Sequence, residues 1–138
     1  MTKILAIDYG SKNVGLALSD DEGKLAFAYN TLHGNGDIKR HKEKIAGDIK
    51  NICKLEKVDR VVVGMPLGLA GGKTEMSEEV FEFVKILEEG CEVPVEVEDE
   101  RWTSVQASKM ENKTARNIDE LSAQILLQAY LDKIAKNS

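Results

Sequence analysis

Three strand-like runs fall within the first 32 residues, and the turns between them are too short for a crossover. Lys3 to Asp8 is almost wholly apolar, as suits a strand buried on both faces. Gly10-Ser11-Lys12-Asn13 makes a turn. Val14 to Ser19 alternates Val14, Leu16 and Leu18 with the small Gly15 and Ala17. Asp21-Glu22-Gly23 is a second turn, and Lys24 to Leu32 a third strand. A parallel crossover needs about a dozen residues or more, so these strands pair as an antiparallel meander.

The period changes after Gly36. Ile38, Ile45, Ile49, Ile52 and Leu55 fall at helical spacing. Val58 to Gly64 reads as a strand, followed by a glycine-rich loop from Gly64 to Lys73. A helix from about Glu75 turns Val80, Phe81, Val84 and Leu87 inward and stops at Gly90. Val93 to Glu98 is a short strand, Thr103 to Met110 a helix, and Ile118 to Ala135 a long helix. The order β-β-β-α-β-α-β-α-α predicts an α/β fold: a five-stranded mixed sheet, with a three-strand meander and two parallel strands, flanked by helices. This is the element order of the ribonuclease H-like class.

The chain has 138 residues, 42% of them apolar, which suits a single domain over 1–138 with its own core. No apolar run approaches the ~20 residues of a membrane span. The opening run is too short for a signal peptide and ends on an acid, so a cytoplasmic location is expected. Cys53 and Cys91 form no Cys-x-x-Cys pair, and a zinc site would need more ligands. They read as reduced thiols near the core, and His33 and His41 as surface residues. The net charge of −5 excludes a broadly basic surface. Two local clusters remain: Lys39, Arg40, His41, Lys42 and Lys44, and Lys109, Lys113 and Arg116. Each is either a solvated helix face or a contact for phosphate.

The chemistry lies in the acids. Asp8 ends a central strand, where burying an unpaired charge is costly. It is either functional or a cap of the following turn. Gly10 and Gly15 beside it allow a backbone or phosphate to approach closely. Glu98, Asp99 and Glu100 follow another strand, and strand alternation puts Glu98 and Glu100 on one face. A solvated loop would carry the same letters. Asp119 shares a helix face with Ser122, Ala123, Leu126 and Tyr130, which should press on the sheet. It could equally be a helix-start acid behind an Asn117 cap. Three separated carboxylates can hold divalent ions, and an all-oxygen site suits Mg²⁺ or Mn²⁺.

The run Ile7-Asp8-Tyr9-Gly10-Ser11-Lys12-Asn13-Val14-Gly15-Leu16-Ala17 resembles the opening of the YqgF/RuvX family. Val62-Val63-Gly64-Met65-Pro66-Leu67 with Gly71 resembles its second motif. Asp99-Glu100-Arg101-Trp102-Thr103-Ser104 with Ala107 resembles its third, and Asp119-Glu120-Leu121-Ser122-Ala123 running to Leu131 its last helix. The resemblance spans nearly the whole chain in order. It implies a ribonuclease H-like fold and a Holliday-junction-resolvase-like nuclease, a family more often linked to maturation of the 5′ end of 16S ribosomal RNA. It places the acidic set on Asp8, Glu100 and Asp119, as catalytic residues and metal ligands. Two positions depart from the family: Asn13 stands where Arg is usual, and Trp102 where Leu is usual.

Gly10, Lys12, Lys73, Lys113 and Arg116 are the candidates for substrate contact. The partner is nucleic acid, either precursor ribosomal RNA or branched DNA, with no membrane; the chain is a monomer or a homodimer. Gly68 to Thr74 imitates a P-loop, but the motif requires glycine at position 67, which is Leu67. An actin- or sugar-kinase-like site would need a second lobe. A non-catalytic RNA-binding factor is the remaining alternative.

Overall fold

The computed structural model describes residues 2–10, 12–34, 38–65, 75–99 and 116–136. Five strands form one sheet: β1 (Ile4–Asp8), β2 (Asn13–Ser19), β3 (Ala26–His33), β4 (Arg60–Met65) and β5 (Val95–Asp99). The helices are α1 (Ile38–Glu56), α2 (Glu75–Gly90) and α3 (Ile118–Lys136). The strand order is β3-β2-β1-β4-β5. The first three strands are antiparallel neighbours, and β4 and β5 extend the sheet in parallel with β1. This is the meander plus two parallel strands that the turn lengths dictate. The region expected to hold a helix from Thr103 to Met110 lies outside the described residues.

β1 is the axis of the sheet, and Ile4 to Ile7 are all fully buried. Leu5 and Ile7 face a core shared with α1 and α2, while Ile4 and Ala6 face a second core under α3. The large–small alternation of β2 now has a cause. Val14 and Leu16 fill the α1–α2 side, and Ala17 lies under α3, with Gly15 on that same side, letting the helix approach closely. α3 is buried on a broad front, including the polar Glu120 and Gln124. Gln124 Nε2 donates to the Ala26 carbonyl, and Gln128 Oε1 accepts from the Ala26 amide, both at 3.0 Å. These bonds tie the start of β3 to the helix that covers it.

Several inward assignments are corrected. Phe83, not Phe81, enters the core: Phe83 is fully buried and Phe81 is 50% exposed. Val80, Phe83, Val84 and Leu87 make one continuous helical stripe, and Phe81 sits about 100° away from Val80. Leu55, in the last turn of α1, is exposed. His41 is a core residue rather than a surface one. Lys42 is also buried, its ammonium held by Glu82 of α2 at 2.6 Å. The basic cluster at the start of α1 is therefore divided: Arg40 and Lys44 face solvent, while Lys42 bridges two helices.

Candidate active site at the junction of β1 and α3

Asp8 is the last residue of β1 and lies opposite Gly15 of β2. Directly paired residues of an antiparallel ladder point to the same face. Alternation along β1 puts Asp8 with Ile4 and Ala6, on the α3 side. Gly15 is where α3 reaches the sheet. A Cβ there would overlap the carbonyl group of Asp119 and stand 3.0 Å from the Glu120 nitrogen. The missing side chain of Gly15 thus lets the first turn of α3 rest on β2, beside the strand position of Asp8. Asp8 and Asp119, 111 positions apart in sequence, belong to one corner of the molecule.

Asn117 caps this helix, since its Oδ1 accepts from the Glu120 amide at 2.9 Å. The acid that joins the cap is Glu120. It is 2% exposed, and its carboxylate accepts from Thr31 Oγ1 at 2.9 Å, from Arg116 Nη2 at 3.1 Å and from the Arg116 amide at 3.2 Å. Burial alone pushes the Glu120 carboxyl upward, but the hydrogen bonds from Arg116 and Thr31 outweigh it and hold the group below its ordinary range. The structural role weighed for Asp119 is thereby filled by its neighbour. Among the described residues no hydrogen bond or ion pair reaches the half-buried Asp119 carboxylate. The sequence reading missed Glu120, although Asn117-x-x-Glu120 has the spacing of a capping box.

The acids of β5 divide as well. Glu96 accepts from Tyr130 Oη at 2.6 Å, and the same hydroxyl accepts from Arg60 at 2.8 Å. Glu98 is paired with Lys133 of α3 at 3.0 Å. Both therefore lie on the α3 side, and both carboxylates are engaged by the helix or its neighbours. Asp99 pairs in register with Met65. Glu100, Lys73 and Lys113 lie outside the described residues.

The turn after Asp8 is fixed from below. His41 Nε2 donates to the Gly10 carbonyl at 3.0 Å, and the Gly34 amide donates to the Lys12 carbonyl at 2.8 Å. Tyr9 stacks on Phe83 with ring centroids 4.6 Å apart. Burial, with the nearby Glu79 and Glu82 charges, pushes its hydroxyl up to about 12, so it stays protonated. The side chain of Lys12 is exposed. Asn13, at the position where the family usually has Arg, meets His33 Nδ1 across the β2–β3 ladder at 2.7 Å. Arg116 is mostly exposed at its tip, yet it is committed to Glu120 and reaches Asn30 at 3.4 Å. Among the described residues, no three His, Cys, Asp or Glu side chains group as a metal site.

The family model described as "RuvX: Holliday junction resolvase" matches residues 2–133. A protein of Clostridium kluyveri named "Putative pre-16S rRNA nuclease" is 35% identical over 141 residues, covering 97% of this chain and 99% of the relative. One of the same name from Protochlamydia amoebophila is 31% identical over 140 residues, covering 95% and 93%. Among solved structures, Thermus thermophilus RuvC in complex with a Holliday junction substrate superposes with a TM-score of 0.76 at 14% identity, covering 100% of this chain and 98% of that one. That likeness is one of fold, and the sheet with its helices has the ribonuclease H-like fold.

Proposed function

The chain belongs to the RuvX family, and on that premise we propose that it is a divalent-metal-dependent nuclease that hydrolyses phosphodiester bonds of precursor 16S ribosomal RNA in the cytoplasm. The observation that carries this reading is the close approach of the Asp119 backbone to Gly15, the residue paired with Asp8 in the sheet. Two oxygen donors on one face suit a hard cation such as Mg²⁺ or Mn²⁺. Such an ion, when bound, lowers the pKa of water and stabilises a departing oxygen.

In this reading Asp8 and Asp119 hold the metal, and Glu100 completes the set. Glu98 is the weaker candidate because Lys133 already neutralises it. Asp8 is placed by the stiffest part of the fold, a fully buried central strand, and Asp119 by a capped helix start. Both are preorganised, so little rearrangement opposes cation binding. The positive end of the α3 dipole adds to the attraction of the site for phosphate. Lys12 is the described side chain best placed for a substrate phosphate, with the Gly10 backbone beside it. Lys73 and Lys113 are further candidates, and Arg116 serves through its Glu120 bridge. No described helix is long and apolar enough to cross a membrane.

The test is cleavage of precursor 16S RNA and of a four-way DNA junction, each with Mg²⁺, Mn²⁺ or chelator. Asp8→Asn and Asp119→Asn should abolish metal-dependent RNA cleavage while melting cooperatively. Wild type should gain stability with Mn²⁺, about 2.7 kcal/mol at a hundredfold excess over Kd, and Asp8→Asn much less. Glu100→Gln should lose activity and Glu98→Gln keep most of it. Cleavage by Asp8→Asn at the wild-type rate would refute the carboxylate mechanism. Cleavage of the junction alone would move the substrate to branched DNA.

A further inference from the structure

The layer opposite α3 contains a second feature with chemistry of its own. A cleft of about 240 Å³ opens where the ends of α1 and α2 meet the start of β5. Cys53, Val58, Cys91 and Val93 supply its apolar and thiol lining, and Lys50, Lys54, Lys57 and Glu92 its charged lining. Three ammonium groups against one carboxylate make the cleft locally basic in a chain of net charge −5.

The two thiols are held together by different elements. Cys53 sits in the last turns of α1, which closes with Lys57 in the left-handed region at φ 57° and a bond from the Val58 amide to the Cys53 carbonyl at 2.9 Å. Cys91 follows α2, and its amide is fixed to the Leu87 carbonyl at 2.9 Å. Both thiols line the same cleft, one from each helix end. Cys53 is buried and Cys91 half-buried. Burial raises both thiols, Cys53 to about 12, and the nearby Lys50 charge offsets only part of the rise at Cys91. Cys91, the more exposed of the two, is the thiol that a reagent meets first, and Cys53 behind it is the resolving thiol.

We propose that this cleft is a thiol–disulfide exchange site that accepts an anionic low-molecular-weight disulfide and closes to an intramolecular Cys53–Cys91 bond. The lysines draw the reagent's carboxylates. Cys91 loses its proton and attacks one reagent sulfur. The reagent S–S bond breaks, and half of it leaves as a thiolate that takes up a proton. Cys53 then loses its proton and attacks the Cys91 sulfur of the mixed disulfide, and the second half leaves as thiol. Two protein thiols are oxidised by two electrons, and one disulfide is reduced to two thiols.

The test uses three small disulfides of similar shape: dithiodiglycolate (anionic), 2-hydroxyethyl disulfide (neutral) and cystamine (cationic). Whole-protein mass spectrometry after an acid quench follows the reduced chain. Wild type should lose two hydrogens, retain no adduct and remain the same size on a non-reducing gel. Cys53→Ala should trap the reagent on Cys91, and Cys91→Ala should stay unmodified on that timescale. The anionic reagent should react at least ~5-fold faster than the cationic one at low salt. That gap should close in 1 M salt and in Lys50→Gln/Lys54→Gln. The proposal is overturned if wild type keeps the adduct without closing, links between chains, or shows no charge preference. The wild-type result decides even where a cysteine variant folds poorly.

Discussion

Gly15→Ala is the sharpest test of how the candidate site is assembled. The added methyl would occupy the space of the Asp119 carbonyl group, whereas ordinary contact begins at 3.4 Å. Backbone meets backbone here, so no flexible side chain can yield. The start of α3 has to move off β2 by roughly 1.5 Å. Such overpacking costs about 1–3 kcal/mol. The movement also stretches the bond from Thr31 to Glu120, which is 2.9 Å long and anchors a buried charge; losing such a bond costs a further ~1.5–3 kcal/mol. At a urea dependence of about 1.5 kcal/mol per molar, the midpoint should fall by roughly 2–4 M. A displacement near 1 Å at a reacting centre costs about a hundredfold in rate, so RNA cleavage should drop by that order. Gly47→Ala is the control. Gly47 lies exposed in α1 with nothing within 4 Å of an added Cβ, so that change should stabilise by about 0.5–1 kcal/mol and leave cleavage alone. If Gly15→Ala unfolds within 0.5 kcal/mol of wild type and cleaves within twofold, close approach at Gly15 does not set the geometry of the site.

Glu120→Gln should flatten the acid side of the stability profile. A carboxyl held below its ordinary 4.5 in the fold contributes stability that is present above that value and is lost as pH falls through the lower, folded one. Urea melts at pH 6 and pH 3 should therefore show a smaller drop for the variant than for wild type, and equal drops would remove Glu120 from the account. Phe83→Ala should cost about 3–5 kcal/mol and Phe81→Ala less than about 1 kcal/mol, because only Phe83 is buried; comparable midpoints for the two variants would contradict the packing of α2.

The sheet was legible because chain length between runs is a geometric constraint that the letters display directly. Turns of a few residues permit only antiparallel pairing, and later alternation of helix and strand permits parallel addition. The helices were legible as periods but not always in phase. Phe81 and Phe83 are equally apolar, and only the full stripe of Val80, Val84 and Leu87 decides between them. His41 was misplaced because it stands among lysines in sequence. What buries it is its bond to Gly10 and its place beside Tyr9, contacts more than 30 residues distant.

The acids show most clearly where local pattern stops. Alternation separates the face of Glu98 from that of Asp99, but nothing near Glu98 in sequence announces Lys133, 35 residues on, which makes it a structural ion pair. Asp119 and Glu120 are neighbours, and helix periodicity separates them by only about 100°. Their roles diverge because Glu120 turns toward Thr31 and Arg116, while Gly15 leaves room for the Asp119 backbone on the sheet. A glycine directly under the helix sets how closely its first turn approaches the sheet, and its place opposite Asp8 is visible only once the register of β1 with β2 is known. This is why the distinction between a capping acid and the proposed metal-binding acid at the start of α3 rests on tertiary contact.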